Sequence, residues 1–146
     1  MVEIKEMTFE DFEKIKDILQ TEFDEFWKPS ILKSELENEI SKYIVAKMND
    51  EIVGFAGIII LPDDVEITNI VTKKVERKKG IGKLLLDKLI EMAKETEKET
   101  ISLEVNEINI PAINLYKTSG FEEVGIRKKY YNGINNAIIM TKKFTI

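Results

Sequence analysis

A basic, glycine-containing turn precedes an amphipathic segment near the middle of the chain. It consists of Arg77, Lys78, Lys79, Gly80, Ile81, Gly82 and Lys83. Backbone amides at the start of a helix and the positive end of the helix dipole bind phosphate groups. Glycine also lets the backbone approach a ligand without interference from a side chain. The turn therefore predicts a site for a phosphorylated ligand, although a lysine-rich loop leading into a surface helix would have the same composition.

The turn differs from two common nucleotide-binding motifs. The GxxxxGK[ST] pattern is absent, and Leu85 stands where GxGxxG requires its third glycine. No motif for a Mg²⁺ ligand accompanies the turn, which argues against a nucleotide-dependent switch.

Positive charge is concentrated at this turn. Residues 73–83 contain six basic side chains and one acidic side chain, so the segment carries +5 in a chain whose net charge is −5. The remaining residues therefore sum to −10. Because nucleic-acid-binding domains are usually basic over a wide face, this distribution favours a small anion, and not nucleic acid, as the partner.

Length and composition predict one domain spanning residues 1–146. The longest uncharged run, Ile52 to Pro62, is too short to span a membrane, and the N-terminal residues lack the apolar stretch of a signal peptide. We therefore expect a cytoplasmic protein without a membrane partner. The sequence has no cysteine, which excludes disulfides and thiolate chemistry, and no histidine, the commonest general base and metal ligand. We expect no metal.

The hydrophobic pattern predicts the element order βααβββαβαββ. A first helix should begin with a capping box at Thr8 and present Phe12, Ile15, Leu19 and Phe23 at helical spacing. Short turns should make the second, third and fourth strands antiparallel, and a crossover through the helix at the basic turn should make the next strand parallel. We predict a mixed, mostly antiparallel twisted sheet of the α/β (α+β) class with helices on both faces.

Two apolar patterns flank the basic turn. The strand before it should alternate along one face, through Val65, Ile67, Asn69 and Val71. The helix after it should bury one stripe, formed by Ile81, Leu84, Leu85, Leu89, Met92 and Ala93.

Two groups of residues resemble a known superfamily. The turn matches Arg/Gln-x-x-Gly-x-Gly/Ala, the pyrophosphate signature of the GNAT N-acetyltransferases, and follows the strand at 67–72 with the family's spacing. The C-terminal third resembles the ribosomal-protein alanine N-acetyltransferases of that superfamily, at residues 103–106, 109, 112–116, 120–121, 127–131 and 137–140. The element order agrees over nearly the whole chain, so the resemblance implies a GNAT fold.

The resemblance implies that acetyl-CoA is the cosubstrate. Its pyrophosphate would bind the turn at 77–83, and its pantetheine arm would pair with the backbone of Ile70, Val71 and Thr72, where the family's strand separates from its neighbour. An amide there polarises the thioester carbonyl. The same residues would also suit an ordinary core strand. Asn109 matches a residue that touches the pantetheine, although capping its helix would explain it equally well.

Two residues match the family's catalytic pair. Glu104 matches the general base, and Tyr116 matches the general acid that protonates the departing CoA thiolate. An α-amine has a pKa of about 8, far below the ~10.4 of lysine, so a carboxylate or a water that it holds suffices as the base. A solvent-facing glutamate and a core tyrosine are the alternatives. Because an acyl-cysteine is excluded, we expect direct attack in a ternary complex.

Four aromatic residues are candidates for acceptor binding. The resemblance places Tyr130 and Tyr131 at a peptide groove, although this pair could instead close the sheet, and it places Phe26 and Trp27 in the loop that shapes the pocket. The acids around that loop could attract a cationic N-terminus or simply be solvated, namely Glu22, Asp24 and Glu25.

Two departures from the family pattern fall near this groove. Asn106 replaces a common arginine, and the tract 132–136 is short and lacks an acidic residue. These departures weaken the case for a ribosomal acceptor but hardly affect the expected reaction class. The resemblance implies an enzyme that acetylates the N-terminal α-amine of a protein, with a ribosomal N-terminal alanine as first acceptor. Acetylation of a small amine or lysine, and a non-catalytic CoA-binding regulatory module, are the alternatives. We expect a monomer or weak dimer.

Overall fold

The computed structural model describes residues 1–24, 28–131 and 133–144, with the side chain of Tyr131 outside the described part. The strands are β1 (Val2–Glu6), β2 (Ser41–Met48), β3 (Glu51–Ile60), β4 (Val65–Thr72), β5 (Thr100–Asn106), β6 (Glu122–Tyr131) and β7 (Asn135–Lys143). The helices are α1 (Phe9–Ile15), α2 (Leu19–Glu22), α3 (Pro29–Glu37), α4 (Ile81–Glu95) and α5 (Ile110–Thr118). None of these helices combines the length and the apolar character that crossing a membrane requires.

The strands form one mixed sheet in the order β1-β2-β3-β4-β5-β7-β6. Neighbouring strands are antiparallel except β4 and β5, which are parallel. The turn between β2 and β3 has left-handed backbone at Asn49 and Asp50 (φ 53° and 65°), which suits the twist of a two-residue hairpin. The predicted fold class, the antiparallel central strands and the parallel fifth strand are confirmed.

The predicted first helix is divided into α1 and α2. Its capping box is present, because the Thr8 amide donates to Asp11 Oδ2 at 2.9 Å and the Asp11 amide donates to Thr8 Oγ1 at 3.1 Å. A single helix reaching Phe23 was wrong, because the backbone of Phe23 is extended and forms a bridge with Lys73 beside the sheet. The apolar spacing still identified buried residues, since all four of its members lie in the core.

Each face of the sheet carries its own hydrophobic core. Helices α4 and α5 cover one face, and α1 to α3 cover the other. The buried residues of α4 are Ile81, Leu85, Leu86, Leu89, Ile90 and Ala93. The predicted stripe was wrong at Leu84, which is exposed. The buried face of α4 runs through Leu85 and Leu86, and Leu84 lies outside it.

A bulge in β4 changes which of its side chains face each core. The register between β3 and β4 shifts at Thr68. Val65 and Ile67 pack in the core beneath α4, whereas Val71 packs in the core beneath α1 to α3. The predicted alternation of these three residues with Asn69 along one face was therefore wrong, since one extra residue in a strand reverses its alternation.

Candidate active site

Strands β4 and β5 separate towards their carboxyl ends. Within the described residues their pairing ends at Glu66 opposite Ser102, although β4 continues to Thr72 and β5 to Asn106. On their other edges, β4 stays paired with β3 and β5 with β7. A wedge-shaped opening therefore lies between the ends of two parallel strands, the position at which open α/β sheets bind ligands.

The edge of β4 that lines the opening presents the backbone of Ile70. The Lys73 amide donates to the Val53 carbonyl of β3 at 2.8 Å, and bonding groups alternate in direction along an antiparallel strand. Val71 therefore directs its amide and carbonyl towards β3, whereas Ile70 directs both into the opening. The separation that the resemblance implied at this strand is present, and it supplies one donor and one acceptor.

Tyr43 supports the bulge that precedes this edge. Its hydroxyl lies 3.1 Å from Thr68 Oγ1 and accepts a hydrogen bond from Asn69 Nδ2 at 2.8 Å. Its ring covers Gly57, where an added Cβ would lie 2.4 Å from Tyr43 Cζ. Burial raises the pKa of Tyr43, so the hydroxyl stays protonated at neutral pH. These contacts hold the bulge in place and thereby fix the direction of the segment that follows it.

The basic turn ends in an uncapped helix start. Gly80 has left-handed backbone (φ 81°), and no side chain in the described part of the chain caps α4. Because the Leu84 amide makes the first helical bond, to Gly80 O at 3.1 Å, the amides of Ile81, Gly82 and Lys83 have no acceptor within the helix. The first turn of α4 contains no acidic residue, although the helix dipole favours negative charge there. The arrangement suits an anion supplied by a ligand.

Asp24 contacts two of the predicted cofactor-binding residues. Its amide donates to the Thr72 carbonyl at 2.9 Å, and the Thr72 amide donates to Oδ2 at 3.3 Å. Arg77 Nε donates to Oδ1 at 2.5 Å, and its Nη2 forms an ion pair with the same oxygen. Nearby, Glu22 lies 3.5 Å from Lys73 Nζ. These two acids, which could have attracted a cationic N-terminus, therefore interact with the basic segment.

Glu104 lies on the face of β5 away from α4. Its neighbours Leu103 and Val105 are buried in the core beneath α4 and α5, so the Glu104 side chain points to the opposite face and is 27% exposed. Arg127 Nη2 lies 2.7 Å from Glu104 Oε1. The Arg127 guanidinium also covers the ring of Tyr130, with Cζ 4.9 Å from the ring centroid. The proposed base therefore has a fixed cationic partner.

Helix α5 carries the other two candidates. Asn109 Oδ1 accepts a hydrogen bond from the Ala112 amide at 3.3 Å, which confirms the predicted helix cap. Tyr116 is partly buried against the core beneath α4, and its ring meets Phe121 edge-on with centroids 5.9 Å apart. Since α5 begins just beyond β5, its first turn lies at the same end of the sheet as Glu104.

The hairpin of β6 and β7 is tied to the loop that follows β5. The Asn136 amide donates to Glu107 Oε2 at 2.7 Å, and the Glu107 amide donates to the Asn136 carbonyl at 3.0 Å. Asn136 Oδ1 also accepts from the Lys129 amide at 2.8 Å, in a bulge where Lys129 has φ 50°. These bonds fix the backbone beside Tyr130, whose side chain is exposed.

The structure brings most of the predicted site to one end of the sheet. The basic turn follows the carboxyl end of β4, Glu104 lies near that of β5, and α5 starts beside it. Three predicted acceptor-binding side chains lie outside the described part of the chain: Phe26, Trp27 and Tyr131.

Comparison with known proteins agrees with this geometry. The model of the acetyltransferase (GNAT) family matches residues 12–121, which is most of the chain. The chain belongs to the GNAT family. The order of its strands, the opening between β4 and β5 and the basic turn are thus features of a GNAT acyltransferase.

Three relatives show how far the similarity of this GNAT chain to known proteins extends. The [ribosomal protein bS18]-alanine N-acetyltransferase of Haemophilus influenzae is 38% identical over 136 residues, covering 89% of this chain and 90% of the relative. A Bacillus subtilis protein to which that activity is provisionally assigned is 37% identical over 140 residues, covering 94% and 92%. The crystal structure of the Escherichia coli ribosomal-protein-S18-alanine N-acetyltransferase gives a TM-score of 0.89 at 28% identity, covering 100% of this chain and 96% of that chain.

Sequence reasoning missed the charged partners within this GNAT site. Arg127 belongs to the family pattern without a role there, and for Asp24 the sequence suggested attraction of a cationic N-terminus or a solvated face, but not a contact with Arg77. The Glu104–Arg127 pair depends on register, because Glu104 lies opposite Ile139 and Arg127 opposite Ala137 across β7. No spacing within the sequence reveals such a pairing.

Proposed function

We propose that this GNAT enzyme transfers the acetyl group of acetyl-CoA to the N-terminal α-amine of a protein, with the N-terminal alanine of a ribosomal protein as first acceptor. The named activity of the H. influenzae and E. coli relatives supports this acceptor class. Their similarity extends over nearly the full length of each protein, which supports a shared acceptor class as well as a shared cosubstrate.

The opening between β4 and β5 is the observation that carries the proposal. The pantetheine arm contains two amides, which can bond to an exposed strand edge as a peptide strand would. Ile70 offers an amide and a carbonyl there, with Val71 and Thr72 continuing the strand. The pyrophosphate would then reach the amides and cationic side chains of residues 77–83, and Asn109 would approach the arm from α5.

The acetyl thioester would lie where the opening meets the face that carries Glu104. The neutral α-amine attacks the carbonyl carbon, so a C–N bond forms and the C–S bond then breaks. Glu104 takes the proton that leaves nitrogen, directly or through water, and Tyr116 donates a proton to the departing thiolate sulfur. Exchange with water restores both side chains. The Ile70 amide is the nearest candidate donor to the thioester oxygen.

The test offers acetyl-CoA and three acceptors to the native protein: a peptide with a free N-terminal alanine, an N-blocked peptide containing lysine, and a polyamine. Mass spectrometry identifies the acetylated nitrogen. We expect acetylation of the free alanine, with losses of about 10²-fold or more in kcat for both Glu104→Gln and Tyr116→Phe. Tyr116→Phe retains the ring that packs on Phe121, so its folding should be preserved.

Glu91→Gln is the matched control, because Glu91 is an ion-paired glutamate on α4 outside the proposed site. It should leave kcat unchanged. Acetylation confined to lysine or to the polyamine would contradict the proposed α-amine acceptor and identify a different acceptor class. Acetyl-CoA binding without transfer to any acceptor would favour a regulatory CoA-binding protein.

A further inference from the structure

The pairing of Glu104 with Arg127 suggests how the site selects its amine. Arg127 projects from β6 across β7, past the small, buried Ala137 opposite it, and its Nη2 lies 2.7 Å from Glu104 Oε1. Among the described residues it is the one cation paired with Glu104. Its side chain is 56% exposed, so solvent and substrate can reach the pair.

Two contacts hold the guanidinium in this position. Its Nη2 is paired with Glu104, and its Cζ lies over the ring of Tyr130, 4.9 Å from the ring centroid. Arginine suits such a place because its planar group can stack and bind a carboxylate simultaneously. One oxygen of Glu104 is therefore paired with a permanent positive charge, and among the described residues the other, Oε2, is available to a donor.

We propose that Arg127 is a specificity-determining residue, which reserves Glu104 for amines that arrive uncharged and so favours an N-terminal amine over a lysine side chain. This inference rests on the proposed function. An acetyltransferase could in principle use either amine, and the proposal assigns the preference for the N-terminal amine to Arg127.

The physical basis is the difference in charge between the two amines. At pH 7.4, roughly a quarter of α-amines are neutral, compared with roughly one lysine side chain in a thousand. A cationic ammonium that approaches Glu104 also approaches Arg127, and like charges brought together at a binding surface disfavour the complex. A neutral amine meets no such repulsion and donates its hydrogen bond to Oε2.

A structural tie between β5 and β6 is the competing explanation for the same ion pair. Loss of a tie would slow acetylation of every acceptor by the same factor and lower the melting temperature. Loss of a charge filter would change the ratio between acceptors. A structural tie and a charge filter therefore predict different changes in the ratio between acceptors. A variant that keeps the positive charge distinguishes them further.

The experiment measures kcat/KM from pH 6.5 to 9.5 for two peptides of matched sequence, one with a free N-terminal alanine and no lysine, the other N-blocked with one lysine. The variants are Arg127→Met, which removes the charge but keeps a long stem, and Arg127→Lys, which retains the charge. Lys128→Met is the control, because it removes one positive charge from the neighbouring, exposed position of β6. Melting temperatures are recorded for all variants.

We expect Arg127→Met to raise the lysine-to-alanine ratio of kcat/KM about fivefold or more, the scale of one half-exposed charge interaction. The gain should be largest between about pH 8 and pH 9.5, where most α-amines are neutral and most lysine side chains are still cationic. Arg127→Lys and Lys128→Met should keep the native ratio within about twofold.

An unchanged ratio in Arg127→Met, with both rates reduced together, would overturn the filter and leave a structural tie. If Arg127→Met does not fold, Arg127→Gln supplies the same comparison. Native protein that prefers the lysine peptide, or acetylates neither, overturns the proposed function itself, and this result is visible before any Arg127 variant is measured.

Discussion

At the scale of single residues, the two glycines of the basic turn are glycine for different reasons. Gly80 has φ 81°, a conformation that other residues rarely adopt, yet no atom of the described residues lies within 4 Å of where its Cβ would be. Gly82 lies within α4, and an added Cβ would meet only Leu115 Cδ2, at an ordinary 3.8 Å. The backbone conformation at position 80 favours glycine, whereas position 82 has room for alanine until a ligand binds.

Alanine at these positions should therefore separate stability from binding. Gly82→Ala should preserve the melting temperature or raise it, because alanine is favoured over glycine in a helix by up to about 1 kcal/mol. It should nevertheless weaken acetyl-CoA binding about tenfold, the effect of obstructing one backbone bond to phosphate. Gly80→Ala should lower the free energy of unfolding by about 1 kcal/mol because of its backbone strain.

Thermal unfolding and calorimetric titration with acetyl-CoA measure the two effects on the same samples. Gly125→Ala, far from the turn on β6, is a control for glycine replacement, since its Cβ would make only ordinary contacts with Ile139. Native affinity in Gly82→Ala would remove the amides of the α4 start from the proposed phosphate site.

The sequence predicted several residues of the candidate site, but it did not predict their interaction partners. The basic turn and Asn109 have local signatures, a glycine pattern and a helix cap, and the structure has α4 and the cap where those signatures indicated. The partners of Glu104 and Arg77 come from elements distant in sequence, at Arg127 and Asp24. Only the three-dimensional arrangement determines which charges meet.

At the scale of elements, α1 is attached to the sheet through Asp11. This side chain is 4% exposed, belongs to the capping box and forms an ion pair with Lys47 Nζ of β2 at 2.9 Å. Burial acts to raise the pKa of Asp11, but hydrogen bonds from the Thr8 backbone and from Lys47 outweigh it and lower the pKa below its ordinary value. The ionised carboxylate therefore stabilises the folded protein.

The direction of this shift predicts how stability depends on pH. Because the pKa of Asp11 is lower in the folded than in the unfolded protein, its contribution is complete above the unfolded value of about 3.9 and is lost as pH falls through the folded value. Asp11→Asn should lower the free energy of unfolding at pH 7 by about 1–2 kcal/mol. It should also reduce the decline in stability between about pH 5 and pH 2.

Denaturant unfolding of native protein and Asp11→Asn at intervals from pH 7 to pH 2 measures both quantities. Asp63→Asn is the control, because Asp63 is an exposed aspartate in the turn between β3 and β4 and should leave the pH profile unchanged. A profile for Asp11→Asn that runs parallel to the native one would exclude Asp11 as a source of acid sensitivity.

Elements with local signals were predicted well, and those shaped by tertiary contacts were not. The capping box, the hairpin at Asn49 and the buried stripe of α4, except at Leu84, follow from neighbouring residues. Helix α2 ends where Phe23 forms a bridge with Lys73, and the bulge of β4 is held by the Tyr43 hydroxyl, 25 positions from Thr68 along the chain. Periodicity cannot reveal an extra residue that a distant side chain stabilises.

At the scale of the whole molecule, the sheet consists of two well-paired blocks with a weak join. β1 to β4 form one block and β5 to β7 the other, and within the described residues only two residue pairs link β4 to β5. Helix α4 packs against both blocks. A ligand that bonds to the open edge of β4 and also contacts α5 would connect the two blocks. Its binding should therefore change the hydrogen exchange of backbone amides in β4.

Two neighbouring amides of β4 report on this connection. Val71 donates towards β3, whereas Ile70 faces the opening, so in the free protein the Ile70 amide should exchange its hydrogen at least about tenfold faster than the Val71 amide. Saturating acetyl-CoA should slow exchange at Ile70 and change Val71 much less, because only Ile70 gains a partner. At a hundredfold excess over Kd the ligand should also stabilise the fold by about 2.7 kcal/mol, raising Tm by about 5–10 °C.

Hydrogen exchange measured by NMR on ¹⁵N-labelled protein resolves the two amides. A second experiment uses 3′-phosphoadenosine 5′-diphosphate, the nucleotide half of CoA, to test which part of the ligand binds the turn and which part binds β4. This fragment carries the pyrophosphate without pantetheine, so it should raise Tm through the basic turn while leaving Ile70 in fast exchange. Slow exchange at Ile70 in the free protein would mean that the opening is closed in solution. Protection of Ile70 by the fragment alone would show that the turn, and not a pantetheine strand, controls the edge of β4.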